Sequence, residues 1–303
     1  SPGSILLASL TYQDSNIRQA DDFPGAVPTL PGFPNATYFY DFKAPQTSWG
    51  PELQHLYRSR YFNLTTGAGY FKVDGEFQTV SGTFDVLVPP PGVGMIDGTQ
   101  IREVQPTEFG HLNVYSYDNV KPIRPVMVTA GVSYDRLDPS DADGQILEDD
   151  GKSQINPKVG VMWNPFSGTT VRAALLRTLK RTLVTDQTLE PTQVAGFNQF
   201  YDDTDLTTAW RYGAGVDQRI GKKVFAGIEA SRRDVTVPFE DPINFPMAAQ
   251  QEADWKEQSW RAYAFSNRLR WFGVRAQYLF EDFEHERDWT VGVLQMETHR
   301  VPL

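Results

Sequence analysis

Hydrophobic residues recur at every second position over many short stretches of this chain. The clearest case is residues 209–235, AWRYGAGVDQRIGKKVFAGIEASRRDV, in which Trp210, Tyr212 and Val216 alternate with arginine, glycine and aspartate. A period of two is typical of β-strands, because successive side chains point to opposite faces of a sheet. The alternation resumes after a short break at 219–222. The stretch is therefore predicted to be a β-hairpin.

About twelve runs of this kind follow one another, and no useful stretch has a helical period. The sequence therefore predicts an all-β, antiparallel fold. The predicted strands are centred on residues 6–12, 53–57, 64–70, 112–114, 126–134, 159–163, 171–175, 210–216, 224–230, 260–264, 272–280 and 289–293.

The predicted links between these strands alternate between short and long. A soluble sandwich has one apolar face on its core and has no reason to alternate its links in this way. A transmembrane β-barrel does, since its turns are short on the periplasmic side and its loops long on the extracellular side. We therefore predict an antiparallel transmembrane β-barrel. The links predicted to be long are residues 13–49, 79–105, 137–154, 179–208 and 236–256.

Composition narrows the class of protein further. The formal net charge is −10 and no basic stripe is present, which argues against a nucleic-acid-binding protein. No run reaches 18 apolar residues, so no transmembrane helix is predicted. The absence of cysteine fits an outer-membrane or periplasmic protein. We expect the bacterial outer membrane as the location, with its lipid and lipopolysaccharide as partners.

Strand parity assigns side chains to the two faces of the predicted barrel. Charges that face lipid at the membrane centre cost about 2–4 kcal/mol, so the charged parity is expected to face a wet lumen. The lumen-facing candidates are Arg211, Asp217, Glu229, Arg233, Arg261 and Arg275. The lipid-facing candidates are Trp210, Tyr212, Val216, Val128, Val132, Phe272, Val274 and Tyr278.

Three stretches carry a family resemblance: residues 164–191, 194–203 and 272–283. The first contains Val171-Arg172-Ala173-Ala174 before a loop and Leu189-Glu190-Pro191 in a following turn. Together the three stretches are similar to the barrel half of TonB-dependent outer-membrane receptors. The resemblance implies uptake of a solute, with a plug domain and a periplasmic energising or assembly partner.

The chain departs from that family in several ways. Those barrels have about 22 strands, and neither a plug domain nor a segment that contacts TonB is found in residues 1–303. We therefore expect residues 1–303 to be a truncated part of a larger barrel. Three alternatives remain open: an export porin for polysaccharide or protein linked to periplasmic tetratricopeptide repeats, a structural membrane-anchor subunit of a larger assembly, and a soluble all-β binding protein.

Candidate chemistry is sparse. The histidines at 55, 111, 285 and 299 show no metal-binding spacing, and no nucleophile motif is present. The acidic stretch 138–151 resembles a calcium loop, but Pro139 stands where the first ligand belongs. We expect no enzyme activity, no cofactor and no metal site, and we name no catalytic residue.

Overall fold

The computed structural model describes most of the chain, and the described part contains strands and turns but no helix. It therefore holds no helix that is long and apolar enough to span a membrane. The predicted all-β fold is confirmed. The described residues are 3–27, 36–83, 86–88, 94–96, 100–139, 151–180, 187–200, 203–204, 206–239, 251–267, 271–285 and 295–301.

Twelve long strands form one antiparallel sheet, in which each strand pairs with its neighbour along the chain. Two small ladders, β4 with β5 and β10 with β11, lie in the links between long strands. The strands are β1 (Gly3–Val27), β2 (Ala36–Arg58), β3 (Phe62–Thr83), β4 (Val86–Val88), β5 (Gly94–Ile96), β6 (Gln100–Ile123), β7 (Val126–Pro139), β8 (Lys152–Trp163), β9 (Thr169–Leu179), β10 (Gln193–Val194), β11 (Phe197–Asn198), β12 (Thr208–Ile220), β13 (Val224–Phe239), β14 (Gln251–Ser266), β15 (Val274–His285) and β16 (Gln295–Arg300).

Short and long links alternate along the sheet as the sequence predicts. At one end the strands are joined by the short links 59–61, 124–125, 164–168, 221–223 and 267–273. In the link at 221–223, Gly221 has a φ of 64°, a left-handed conformation that favours glycine. All the longer links join the strands at the other end.

The predicted extent of the first two long loops is wrong. Residues 13–49 were expected to be a loop, but β1 and β2 pair from Gly3 with Arg58 as far as Phe23 with Tyr38. β3 and β6 likewise extend through much of the expected loop 79–105. In the outer part of β2, aromatic residues occupy both parities, as at Tyr38, Phe39 and Tyr40, so the alternation of apolar and polar residues that marks a strand is lost there.

Two predictions fall partly or wholly outside the described residues. The expected last strand, 289–293, lies within the undescribed range 286–294, and the twelfth strand of the sheet is β16. Most of the acidic stretch 138–151 also lies outside the described residues.

The two faces of the sheet differ sharply in polarity. One face, here called the polar face, carries Asp135, Arg211 and Glu229. The other, here called the apolar face, carries Val132, Val216 and Ile228. Strand β8 shows the difference most regularly, since buried and exposed residues alternate along almost its whole length. On the central strands the polar face is the more buried one.

The sheet is not closed within the described residues. β1 and β16 lie at its two edges, and each pairs with a single neighbour, β2 and β15 respectively.

Candidate functional site

The structure places all six predicted lumen-facing residues on the polar face. Cross-strand register sets Arg211 opposite Arg233 and Glu229 opposite Arg261, while Asp217 and Arg275 share the same parity on their strands. Arg211 and Arg233 are buried, and Arg275 is exposed. That this face borders a lumen remains a prediction.

The predicted lipid-facing residues lie on the apolar face, apart from Phe272, which precedes β15 in a short link. Most of them are exposed, and Trp210 and Val128 are half-buried. The Arg177 guanidinium lies over the Trp210 ring, 5.7 Å from its centroid. That this face touches lipid also remains a prediction.

Part of the long link between β9 and β12 packs against the polar face. Residues 187–200, here called the docked segment, bury Val194, Ala195 and Phe197 against Tyr115, Tyr117 and Leu176 of the sheet and their neighbours. Two glycines of the sheet make room for this contact. A Cβ at Gly160 would lie 2.8 Å from Val194, and one at Gly213 would lie 2.5 Å from the Phe197 ring.

Glu190 ties the docked segment to the middle of the sheet. Its carboxylate accepts a hydrogen bond of 2.5 Å from the Tyr117 hydroxyl and pairs at 3.0 Å with the Lys158 ammonium. The side chains of Lys158 and Glu190 are only 3% and 2% exposed. A buried charge is tolerated when it is both paired and hydrogen-bonded, as this one is.

Further contacts tie the segment to strands on either side. The Glu52 carboxylate of β2 accepts hydrogen bonds from the Leu189 backbone N–H at 2.9 Å and from the Thr188 hydroxyl at 2.7 Å. At the other end, Arg211 of β12 donates to the Asn198 carbonyl at 2.7 Å. The docked segment therefore crosses the polar face from β2 to β12.

Beside Lys158, five polar side chains from three strands form a buried cluster. Asp135 accepts hydrogen bonds from Asn113 at 2.8 Å, from Asn156 at 2.7 Å and from Ser133 at 3.2 Å. The His111 ring lies 3.0 Å from the same carboxylate through Nε2. Because Ser133 donates to the aspartate and not to the imidazole, the group lacks the geometry of a nucleophilic triad.

A second network links charges across β9, β12, β13 and β14. Arg172 donates to Asp217 at 2.6 Å and to Glu229 at 3.0 Å, and Arg261 also reaches Glu229 at 3.1 Å. On the same face, nearer the long-link end of β13, the Arg233 guanidinium pairs with Glu257 at 2.7 Å and with Asp203. Positive and negative side chains therefore alternate on this part of the polar face.

Sequence parity assigns Arg172 to the charged face only ambiguously, because apolar residues occupy both parities of TVRAALLRT; the structure places it on the polar face. Sequence reasoning missed Lys158, Asp135 and Glu52, since their roles depend on partners distant in sequence. Glu190 could be noticed in the sequence, because it lies in the Leu189-Glu190-Pro191 turn that carries part of the family resemblance.

The contacts of the described residues pack the docked segment and order the charges around it. Among the described residues, no group of three or more His, Asp or Glu side chains is placed to hold a metal ion. The contacts instead fix a loop segment against a charged wall.

Comparison with known proteins gives structural likeness only. No protein-family model and no curated protein matches the sequence. The fold is similar to the alcaligin outer-membrane receptor FauA of Bordetella pertussis, with a TM-score of 0.46 and 11% identity over 97% of this chain and 53% of that one. It is also similar to the FrpB iron transporter of Neisseria meningitidis, with a TM-score of 0.42 and 11% identity over 93% and 57% of the two chains.

A third similar structure is the ferric-catecholate import receptor Fiu of Escherichia coli K12. Its TM-score is 0.41 and its sequence identity is 10%, over 92% of this chain and 56% of that one. The chain thus spans little more than half the length of the structures it matches. All three are TonB-dependent outer-membrane receptors of Gram-negative bacteria.

Proposed function

We propose that this chain is the barrel portion of an outer-membrane protein that moves a solute across the bacterial outer membrane. The observation that carries the proposal is the inverted polarity of the sheet. On the central strands its charged face is buried and crossed by a loop segment, while its apolar face is open.

The open apolar face favours lipid as its surroundings. Each long strand from β1 to β15 exposes a large apolar side chain there, including Leu10 at 76%, Ile155 at 62% and Ile228 at 62%. Monomeric soluble proteins rarely expose apolar patches of more than a few hundred Å². A barrel in a bilayer has this pattern, with an apolar exterior around a polar interior.

The unpaired edges bear on the architecture of the whole protein. Unpaired backbone groups in a bilayer core cost several kcal/mol each, so an open sheet edge is not viable there. Residues 1–303 are accordingly proposed to be one part of a barrel that further strands close. A plug domain and a periplasmic energising partner are proposed on the resemblance of residues 164–191, 194–203 and 272–283.

The docked segment supports a narrow transport path over a wide pore. It lies against the polar face across several strands and is held by hydrogen bonds and ion pairs, so in a barrel it would narrow the lumen. A solute pathway lined in part by this segment fits uptake of a bound solute better than free diffusion through a wide pore.

The proposal is tested in cells with and without the full-length gene. The spent medium of deletion and complemented strains is compared by mass spectrometry during nutrient-limited growth, with and without a protonophore. We expect at least one solute to be depleted only by the complemented strain, and its depletion to stop when the protonophore is present.

Two other results would contradict the proposal. A polymer released only by the complemented strain, without depletion of any solute, would identify an export porin. Identical media, with the protein correctly located in the outer membrane, would identify a structural anchor.

A further inference from the structure

Four strands continue well beyond the others at the long-link end of the sheet. β1, β2, β3 and β6 contain 22 to 25 residues each, whereas β7, β8, β9 and β12 contain 11 to 14. On the apolar face, the exposed rings of Tyr12, Trp49 and Tyr70 form a row across β1, β2 and β3. Aromatic rows of this kind mark the membrane interface of a barrel, so the strand ends past the row belong outside the membrane.

Past this aromatic row, all lysine and arginine residues of the four strands have the same parity as Trp49. Two of them form ion pairs there, Arg18 with Asp41 at 2.8 Å and Lys72 with Glu108 at 2.7 Å. The opposite face, which continues the polar face of the sheet, therefore has no basic residue in the described part of these strand ends. The four basic residues are Arg18, Lys43, Lys72 and Arg102.

That opposite face carries three aromatic rings, here called the aromatic shelf: Tyr40, Phe42 and Phe77. The Tyr40 and Phe42 rings have centroids 6.3 Å apart and planes only 3° apart. The Phe77 ring lies 5.7 Å from that of Phe42, and Phe77 is 39% exposed. Phe42 stands seven residues past Trp49, which is about 23 Å along a strand or about 18 Å along the membrane normal at a tilt of about 40°. The shelf thus offers apolar ring surface in water.

Hydrogen-bonding side chains flank the shelf on both sides. In register, Phe42 stands between Gln19 and Thr79, and Tyr40 stands between Asp21 and Ser81. The Gln19 amide donates to the Asp21 carboxylate at 2.8 Å, so two planar polar groups lie side by side along the shelf. Glu103 of β6 stands opposite Thr79 on the far side.

This combination selects a neutral ligand that is rich in hydroxyl groups. A sugar has an apolar ring face of C–H groups that packs on aromatic rings, and hydroxyls that both donate and accept hydrogen bonds. An anion would meet the carboxylates of Asp21 and Glu103 with no cation beside them on this face among the described residues, which is unfavourable. An organic cation is best held by rings that surround it, whereas the Tyr40 and Phe42 rings are almost parallel.

We propose that the aromatic shelf binds a neutral saccharide at the extracellular entrance of the barrel. The inference rests on the proposed function, because it requires the polar face to line the lumen and the long-link end to be extracellular. It narrows the class of transported solute: the rings hold the sugar face, and the flanking amide, hydroxyl and carboxylate groups hold its hydroxyls.

The test measures binding of the full-length protein to an array of neutral oligosaccharides built from glucose, xylose, mannose or galactose. The protein is kept in dodecyldimethylamine oxide, because a detergent with a sugar headgroup would compete for the shelf. The site variant is Phe42→Ala. The matched control is Phe39→Ala, which removes the same ring from the opposite face of the same strand. Phe42→Tyr keeps a ring at the site.

We expect the unmodified protein to bind at least one of these oligosaccharides, and Phe42→Ala to bind it at least about tenfold more weakly, since a stacked ring contributes roughly this factor. Phe39→Ala should bind within about twofold of the unmodified protein, and Phe42→Tyr within about threefold. Neither tetramethylammonium, as an organic cation, nor 2,3-dihydroxybenzoate, as an aromatic anion, should compete with the bound oligosaccharide.

Failure to bind any oligosaccharide of the array would overturn the inference, as would equal losses for Phe39→Ala and Phe42→Ala. Competition by tetramethylammonium would identify a cation site and competition by 2,3-dihydroxybenzoate an anion site, and either would overturn the saccharide assignment. Failure of the proposed function is seen separately, by asking whether nitroxide-labelled lipid quenches a fluorophore on Ala230→Cys of the apolar face. Quenching without saccharide binding sinks this inference alone, and absence of quenching sinks both.

Discussion

Lys158 of β8 and Glu190 of the docked segment form an ion pair of 3.0 Å in which both side chains are almost completely buried. The same ammonium donates to Ser133 at 2.7 Å, and the same carboxylate accepts from Tyr117. One pair thereby joins the docked segment to β6, β7 and β8. Removing one partner of such a pair leaves an uncompensated buried charge.

Glu190→Gln tests this fastening. The amide keeps the size of the side chain but leaves the Lys158 ammonium without its counter-charge, so we expect the free energy that holds the segment in place to fall by about 3–5 kcal/mol. Chymotrypsin should then cut much faster at Phe197, which is buried in the unmodified protein. Cleavage is followed by gel electrophoresis and mass spectrometry.

An exposed pair provides the control for Glu190→Gln. Arg136 and Asp138 pair at 2.9 Å with side chains 54% and 51% exposed, so Arg136→Gln should cost less than about 1 kcal/mol and leave cleavage unchanged. The double variant Lys158→Met with Glu190→Leu removes both charges and should recover most of the loss. Equal cleavage rates for Glu190→Gln and Arg136→Gln would contradict the fastening role.

Gly213→Ala tests the packing of the docked segment directly. The new Cβ would lie 2.5 Å from the Phe197 ring, too close for any real contact, so the ring must move. Overpacking of this kind costs about 1–3 kcal/mol. We expect faster chymotrypsin cleavage and a lower urea midpoint of unfolding.

Gly273→Ala is the matched control for Gly213→Ala. Among the described residues, its added Cβ would meet the Ser266 carbonyl alone, at 3.5 Å, an ordinary contact. Its cleavage rate and urea midpoint should remain those of the unmodified protein. If Gly213→Ala behaves in the same way, Phe197 does not occupy the place described.

Arg172 tests the charged network between β9, β12 and β13. Two of its nitrogens hold Asp217 and Glu229 separately, and its guanidinium lies 5.2 Å from the centroid of Phe197. A lysine has a single ammonium and cannot reproduce this fork. We expect Arg172→Lys to lower the free energy of unfolding by about 1 kcal/mol, and Arg172→Met by about 2–3 kcal/mol, because a buried charged bond is lost.

Urea unfolding in detergent measures both losses as shifts of the midpoint at constant slope. Arg219→Lys, at an exposed position beside the β12–β13 turn, is the control and should leave the midpoint unchanged. A midpoint for Arg172→Lys equal to that of the control would show that the two-acid geometry contributes nothing to stability.

The sequence predicted the sheet best where the two faces meet different surroundings. Along β7, β12 and β13, apolar residues occupy one parity and polar residues the other. The pattern therefore predicts both the strand and the face on which each side chain lies. The outer part of β1 is largely polar, and that of β2 has aromatic residues on both parities, so no periodicity marked them as strands. Their existence depends on long-range pairing, from Gly3 with Arg58 upward.

The docked segment could not be predicted from its own residues. Residues 179–208 were expected to be an extracellular loop, and the Leu189-Glu190-Pro191 turn was recognised only by resemblance. Its inward packing depends on Glu52 and Tyr117, which lie more than 70 positions away in sequence. Space made by Gly160 and Gly213 could be seen only after the strands were assembled.

For the charged residues, too, the sequence predicted the face of the sheet but not every pairing partner. Parity alone placed Glu229 and Arg261 on one face, and their pairing follows once β13 and β14 are in register. Arg172 and Asp217 are not direct cross-strand partners, since Arg172 stands opposite Gly215, so their bond depends on side-chain reach across the sheet. Parity predicts a face, and tertiary geometry decides the partner.

Which face of the sheet meets lipid is the central question, and two neighbouring residues of β13 answer it. Residues 1–303 contain no cysteine, so Ala230→Cys on the apolar face and Ser231→Cys on the polar face can each be labelled with bimane in the full-length protein, any other cysteine being replaced by serine. The labelled proteins are placed in bilayers that contain nitroxide-labelled lipid. We predict strong quenching at position 230 and little at 231; equal quenching at both positions, or stronger quenching at 231, would contradict the assignment of the apolar face to the membrane.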